Sequence, residues 1–215
     1  MNHLPNPVIQ EKLQNFFQKF PIQTYSKDHV LLRSGSVEKY IYYIESGAVK
    51  MTTTSKDGEN LVLSIFYPGS FLSMFFLIDE GKNAYDYSTV IDCQLRKIPL
   101  PEFLKFLQEN NDVLFELHTR LLRGVQGLLR RIEQTHFVPA YNQVAGLLLY
   151  FARHFGERIR VHITHQEISE WLGLSRENVS IQMKKLERDG LIRKNDSLIE
   201  LLDVEKLTQL SDPHS

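Results

Sequence analysis

Residues 164–194, THQEISEWLGLSRENVSIQMKKLERDGLIRK, decide how the rest of the chain is read. Ile168, Trp171, Leu172 and Leu174 form one apolar group, and Val179, Met183 and Leu186 recur three and four residues apart. Such spacing puts each group on one face of an amphipathic helix. Thr164 followed three residues on by Glu167 is a capping-box pattern, in which hydroxyl and carboxylate satisfy backbone donors left over at a helix start. A first helix therefore begins there. Gly173 falls between the two helical patterns, and glycine readily takes the left-handed backbone that a tight helix-to-helix turn requires. Ser175 then caps the second helix.

Polar side chains crowd the first turns of that second helix: Arg176, Glu177, Asn178, Ser180 and Gln182. A helix entering the DNA major groove needs such groups, because arginine pairs with guanine O6 and N7 and glutamate accepts from cytosine N4. Lys184, Lys185 and Arg188 follow on later turns, where they can meet phosphates and release counterions. Beyond Asp189-Gly190, residues 191–201 alternate around Asn195-Asp196, the pattern of a two-stranded wing. Any one of these features is common, and a charged helix is usually a solvated face. Cap, glycine turn, polar-fronted helix and wing together imply double-stranded DNA as the partner.

The run HQEISEWLGLSRENVSIQMKKLERDGLI, residues 165–192, resembles the helix-turn-helix of the Crp/Fnr superfamily of bacterial transcription regulators. The resemblance implies an α+β chain: an N-terminal double-stranded β-roll (jelly-roll) sensor domain at 1–110, a long dimerisation helix and hinge at 111–137, and a C-terminal winged helix-turn-helix DNA-binding domain at 138–215. In that family a Ser/Thr-Arg-Glu-x-Val run opens the recognition helix, here 175–187, and its arginine and glutamate read bases. Arg176 and Glu177 match those positions, and Ser180 and Ile181 complete the expected base-facing set. Thr164 and Ser175 are implied phosphate contacts, and His165 stands where the family often has a basic side chain. Gln166, Asn178, Lys184 and Lys185 complete the expected phosphate-facing set. One departure matters: the family usually has a second arginine five residues after the first, and this chain has Ile181. Isoleucine offers only apolar contact, for example to a thymine methyl, so the preferred half-site is expected to differ.

Composition is that of an ordinary globular protein: 215 residues, 42% hydrophobic and 24% charged, enough for one large or two modest domains. The net charge of -1 shows no global basicity. Residues 176–194 nevertheless carry Arg176, Lys184, Lys185, Arg188, Arg193 and Lys194 against Glu177, Glu187 and Asp189, a local positive excess. The single cysteine, Cys93, excludes an internal disulfide and points to the cytoplasm. No apolar run approaches a membrane span and no charged leader precedes an apolar core, so a cytoplasmic protein without a membrane partner is expected.

A short helix is expected over 8–20, with Ile9, Leu13, Phe16, Phe17 and Phe20 on its apolar face and Pro21 ending it. Residues 23–99 change to short strands rich in Tyr, Val, Ile, Phe and Thr, broken by turn signals at 34–36, 46–47, 56–58 and 67–69. Strands at regular spacing without intervening helices imply a sandwich or barrel. The runs 40–44 and 49–54 resemble the family's β-roll, although any jelly roll would score similarly.

In cyclic-nucleotide-binding members of that family a Gly-Glu-Leu segment and a downstream Arg-Ser-Ala run hold ribose and phosphate. The corresponding residues here are Ser73-Met74 and 85–89, Tyr-Asp-Tyr-Ser-Thr, with neither the glutamate nor the arginine. A phosphate needs a compensating cation or a nest of backbone donors, and only Lys82 lies near in sequence while Asp86 would repel it. That argues against cAMP or cGMP, and leaves a cyclic-nucleotide-responsive module as the alternative function. Met74, Phe75, Phe76 and Tyr87 either line an apolar cavity for another small-molecule effector, with Lys82 beside it, or simply fill the roll. An iron-sulfur cluster needs about four thiolates, and no histidine lies between His29 and His118 to hold haem. No metal and no cofactor is expected, and Cys93 reads as a core thiol.

After a short helix at 101–108, Leu114, Leu117, Leu121, Val125, Leu128 and Ile132 recur at three and four through to about residue 134. This is either a seam for a parallel homodimer or a long helix packed on its own roll. The resemblance favours the dimer, whose paired recognition helices would reach successive major grooves of a palindromic operator. RNA polymerase is the further partner it implies. Residues 137–140 are the expected hinge; a strongly apolar helix at 142–155, a short strand at 158–163 and a closing helix at 203–210 complete the reading. No P-loop, nucleophile elbow or paired metal-binding histidine motif is present in the sequence, so no enzyme is expected.

Overall fold

The computed structural model describes residues 7–72, 74, 82–157 and 159–211. They form two compact units, Met1–Thr53 with Leu63–Gln126, and Thr54–Val62 with Gly127–Ser215.

The N-terminal half opens with α1 (Pro7–Phe17), which ends three residues before its apolar pattern suggests. Phe20 leaves the helix, its N–H donating to the Phe17 carbonyl, yet its ring still packs edge-on against Phe16 at 5.4 Å. Among the described residues eight strands follow: β1 (Ile22–Tyr25), β2 (Val30–Leu32), β3 (Tyr40–Ser46), β4 (Val49–Thr54), β5 (Asn60–Phe66), β6 (Phe71–Leu72), β7 (Asp86–Thr89) and β8 (Cys93–Pro99). They pair in two four-stranded sheets, ordered β1-β8-β3-β6 and β2-β7-β4-β5. β8 runs antiparallel to β1 and β3, and β7 antiparallel to β2 and β4. Alternation decides which side chains turn between the sheets: on β8 Cys93 and Leu95 are buried there while Gln94 is exposed, and Ile98, on the opposite face, is buried in the cluster with α1 and α2.

Two apolar clusters fill this unit. One gathers Leu32, Tyr42, Ile44, Val49, Met51, Leu72, Tyr87, Cys93 and Leu95 between the sheets. The other joins Leu13, Phe16 and Phe17 of α1 to Ile41, Ile98, Phe103, Leu107 and Val113, with Phe17 stacked on Tyr43 and Phe16 on Phe106 at 4.1 and 4.0 Å. Gly47 is required where the β3–β4 turn passes Asp92: its φ is +96°, and a Cβ there would sit 2.6 Å from the Asp92 carbonyl oxygen.

Helix α2 (Leu100–Glu109) follows Pro99, and α3 (Asn111–Phe137) runs 27 residues, about 40 Å. It continues three residues past the expected end, as far as Pro139 permits. Leu117 packs on the α1–α2 cluster, but Leu114, Leu121, Val125, Leu128 and Ile132 are exposed, Leu121 at 65%. Phe115, Leu122 and Leu129 widen that apolar surface. An apolar stripe of this size is left exposed on α3.

In the C-terminal half come α4 (Ala140–His154), β9 (Arg160–His162), α5 (His165–Leu172), α6 (Arg176–Arg188), β10 (Ile192–Asn195), β11 (Leu198–Leu201) and α7 (Val204–Ser211). Val144, Leu148 and Phe151 of α4 form the floor on which Ile168 of α5 and Val179, Met183 and Leu186 of α6 are buried. Trp171 meets Phe151 edge to face at 4.8 Å between ring centroids. The wing has three strands, not two, because β9 adds to β11 in the order β10-β11-β9. The expected strand at 158–163 shortens to β9, and Arg158 lies outside the described residues.

Candidate nucleic-acid interface

Both helix starts are built by side chains from the quoted stretch. The Glu167 N–H donates to Thr164 Oγ1 at 3.2 Å, and the Thr164 N–H donates to the Glu167 carboxylate at 2.7 Å. That reciprocal cap fixes the direction of α5. Gly173, at φ +68°, ends it, and its N–H donates to the Ser169 carbonyl. Ser169 Oγ donates to the Leu174 carbonyl at 2.6 Å, tying the turn to the helix before it. Ser175 Oγ then accepts from the Asn178 N–H at 3.2 Å and starts α6.

The outward face so positioned carries His165, Arg176, Glu177, Ser180 and Ile181 around one shallow open depression. Arg176, Glu177, Lys184 and Lys185 are exposed and, among the described residues, join no ion pair. By contrast, Arg188 pairs with Asp189 and Arg193 with Glu200, both at 3.2 Å. Among the described residues, Arg176, Lys184 and Lys185 are thus the cations of α6 left without a carboxylate partner. Tyr141 at the head of α4 donates to Asp189 at 2.8 Å and anchors the far end of α6. Burial, then that carboxylate, push the Tyr141 phenol up to about 12, so the proton stays on the tyrosine.

His165 receives the wing. Lys194 Nζ lies 3.1 Å from His165 Nε2. Partial burial first, and then the positive charges of Lys194, Arg176 and Lys184, hold the imidazole below its ordinary pKa. Lys194 was not among the expected contacts: it lies 29 residues away along the chain, and no local pattern links it to His165. Arg131, also unforeseen, donates to the Trp171 carbonyl at 2.9 Å within the second unit.

Thr164, Gln166 and Ser175 are exposed beside this face, with Gln166 donating to Glu170. Gln182 is a correction. It is buried and donates to Asn178 Oδ1 at 2.7 Å, so it belongs to the packed side of α6 and leaves Asn178 half-buried. The grouping of expected effector residues also changes. Met74 packs against the α1–α2 cluster and Tyr87 is buried in the cluster between the sheets, while Lys82 is exposed. Phe75 and Phe76 lie outside the described residues. Among the described residues no three His, Cys, Asp or Glu side chains gather as a metal site, and no helix is long and apolar enough to cross a membrane.

A capped helix, a glycine turn, a polar-faced second helix with free cations and a three-stranded wing define a winged helix-turn-helix of the DNA-binding kind. Residues 142–210 match the Crp-like helix-turn-helix domain family, and residues 22–110 match the cyclic nucleotide-binding domain family. The chain belongs to the Crp/Fnr superfamily and is a DNA-binding transcription regulator of that type. It is 27% identical to the cAMP-activated global transcriptional regulator CRP of Pasteurella multocida, over 86% of this chain and 92% of that one. A solved Crp/Fnr-family transcriptional regulator of Thermus thermophilus is 25% identical, with a TM-score of 0.71 over 89% of this chain and 98% of that one. The c-di-GMP responsive global regulator CLP of Xanthomonas campestris shares the fold, with a TM-score of 0.77 at 20% identity over 90% of this chain and 99% of that one.

Proposed function

We propose that two copies of this chain pair along α3 and read a palindromic operator, with Arg176, Glu177, Ser180 and Ile181 facing base edges. Thr164, His165, Gln166, Ser175, Asn178, Lys184 and Lys185 face phosphates. The observation that carries this reading is that Arg176 and Glu177 stand exposed and unpaired on the first turn of a capped helix. The exposed stripe of Leu114, Leu121, Val125, Leu128 and Ile132 supports the pairing, since burying it needs a partner. The chain divides functionally into a roll at 1–110, a dimerisation helix and hinge at 111–137, and a DNA-binding domain at 138–215. It works in the cytoplasm as a regulator without enzymatic activity, and RNA polymerase is its further protein partner. Selection of duplexes from a random pool by the purified chain tests this: the reading expects an inverted repeat with half-site centres about 34 Å apart. Recovery of no enriched sequence contradicts it.

The roll responds to a small molecule other than cAMP. Ser73-Met74 and 85–89 lack both charges of the family's phosphate cassette, and a buried phosphate without a cation is costly. A cyclic-nucleotide-responsive module is the second reading, favoured by the family match over 22–110. Calorimetry with cAMP and cGMP decides between them: the first reading expects no heat of binding.

A further inference from the structure

Four side chains of α6 are aliphatic or thioether: Val179, Ile181, Met183 and Leu186. Three are buried, and Ile181 alone is turned out, 52% exposed. It does not serve the core, and a β-branched residue on an exposed helix face carries a small helix-propensity penalty. Its place is specific: it lines the same depression as Glu177, Ser180, Arg176 and His165. Glu177 lies one turn before it on the same face, and Lys184 three residues after.

From this arrangement we infer that Ile181 is a specificity determinant that reads the C5-methyl group of a pyrimidine, resting on the proposal that α6 enters the major groove. The only major-groove feature that an aliphatic side chain recognises is a methyl, carried by thymine or by 5-methylcytosine. Branching at Cβ restricts the χ1 rotamers of Ile181, so little freedom is lost on contact. Four residues separate it from Glu177, about 6 Å along the helix, against about 3.4 Å per base pair along the duplex. The methyl therefore lies within about two base pairs of the cytosine whose amino group donates to Glu177. A methylated cytosine at that place is a ligand in its own right, so cytosine methylation there strengthens binding.

The test uses the operator selected by the intact protein, with each thymine of the half-site replaced in turn by deoxyuridine, which keeps every hydrogen-bonding group and loses only the methyl. One thymine per half-site is expected at which the exchange weakens wild type about fourfold, or about fifteenfold when both half-sites are changed. Ile181→Ala, which keeps a good helix former on an exposed face, is expected to bind thymine and uracil operators equally. At the same place wild type is expected to prefer 5-methylcytosine to cytosine, and Ile181→Ala to be indifferent. Operator binding by wild type without sensitivity to any thymine methyl, or with equal sensitivity in Ile181→Ala, overturns the inference and leaves the DNA-reading proposal standing. Absence of any selected operator overturns the DNA-reading proposal and this inference with it.

Discussion

Lys194 of the wing and His165 at the start of α5 meet at 3.1 Å, Nζ to Nε2. An ammonium group has only donors, so the imidazole nitrogen accepts and the ring is neutral, its other proton on Nδ1. Burial and the cations Lys194, Arg176 and Lys184 depress the folded-state pKa below that of the unfolded chain. As pH falls from above 6.5, the unfolded chain takes up its proton first, so the free protein loses stability until the folded value is passed. Phosphates arriving at this face favour the cation and raise that pKa, so DNA binding takes up protons. DNA affinity is expected to rise on acidification by up to about tenfold per pH unit for each His165. Anisotropy titrations at fixed ionic strength from pH 8 to 5.5 check this, and His165→Gln is expected to flatten the profile.

The reciprocal cap at Thr164 predicts a stability change without a change in surface charge. Thr164→Ala is expected to cost about 1 kcal/mol, lowering the melting temperature of the DNA-binding unit by several degrees, and Thr164→Ser to restore most of it. Far-ultraviolet circular dichroism melts read both.

Gln182 donates to Asn178 from within the packed side of α6. Gln182→Leu keeps the volume and leaves Asn178, which is half-buried, free to accept from water. Discrimination between operator and scrambled DNA is expected to stay within twofold of wild type. A loss comparable to that of an arginine-to-guanine contact, roughly 1–3 kcal/mol, would instead make Gln182 a base reader.

Leu121 is 65% exposed at the middle of the α3 stripe. Leu121→Lys with Leu128→Lys is expected to give a monomer in sedimentation equilibrium and to weaken operator binding at least a hundredfold, since one half-site then binds alone. A dimer that survives both changes places the interface elsewhere.

What the sequence made legible was local chemistry. Thr164, Glu167, Gly173 and Ser175 act on backbone groups within a turn of themselves, so spacing alone placed both helices. Gln182 could have been placed too: it lies three residues after Val179 and four before Leu186, on the buried stripe, and residue type misled where period would have served. The third wing strand depends on β9 meeting β11, 38 residues apart where Val161 faces Ile199, and no short pattern encodes that pairing. Met74 and Tyr87 fall in one stretch of sequence and share an apolar character, yet they pack in different cores, and no local pattern separates them.

The central claim is that guanidinium and carboxylate on the first turn of α6 read base edges. Competition binding of wild type, Arg176→Ala, Glu177→Ala and Lys184→Ala to the selected operator and to its scrambled counterpart tests it most directly. The account expects the first two variants to lose roughly 5- to 150-fold in discrimination, about 1–3 kcal/mol each, while Lys184→Ala weakens both duplexes alike. An Arg176→Ala protein that keeps full selectivity would contradict it.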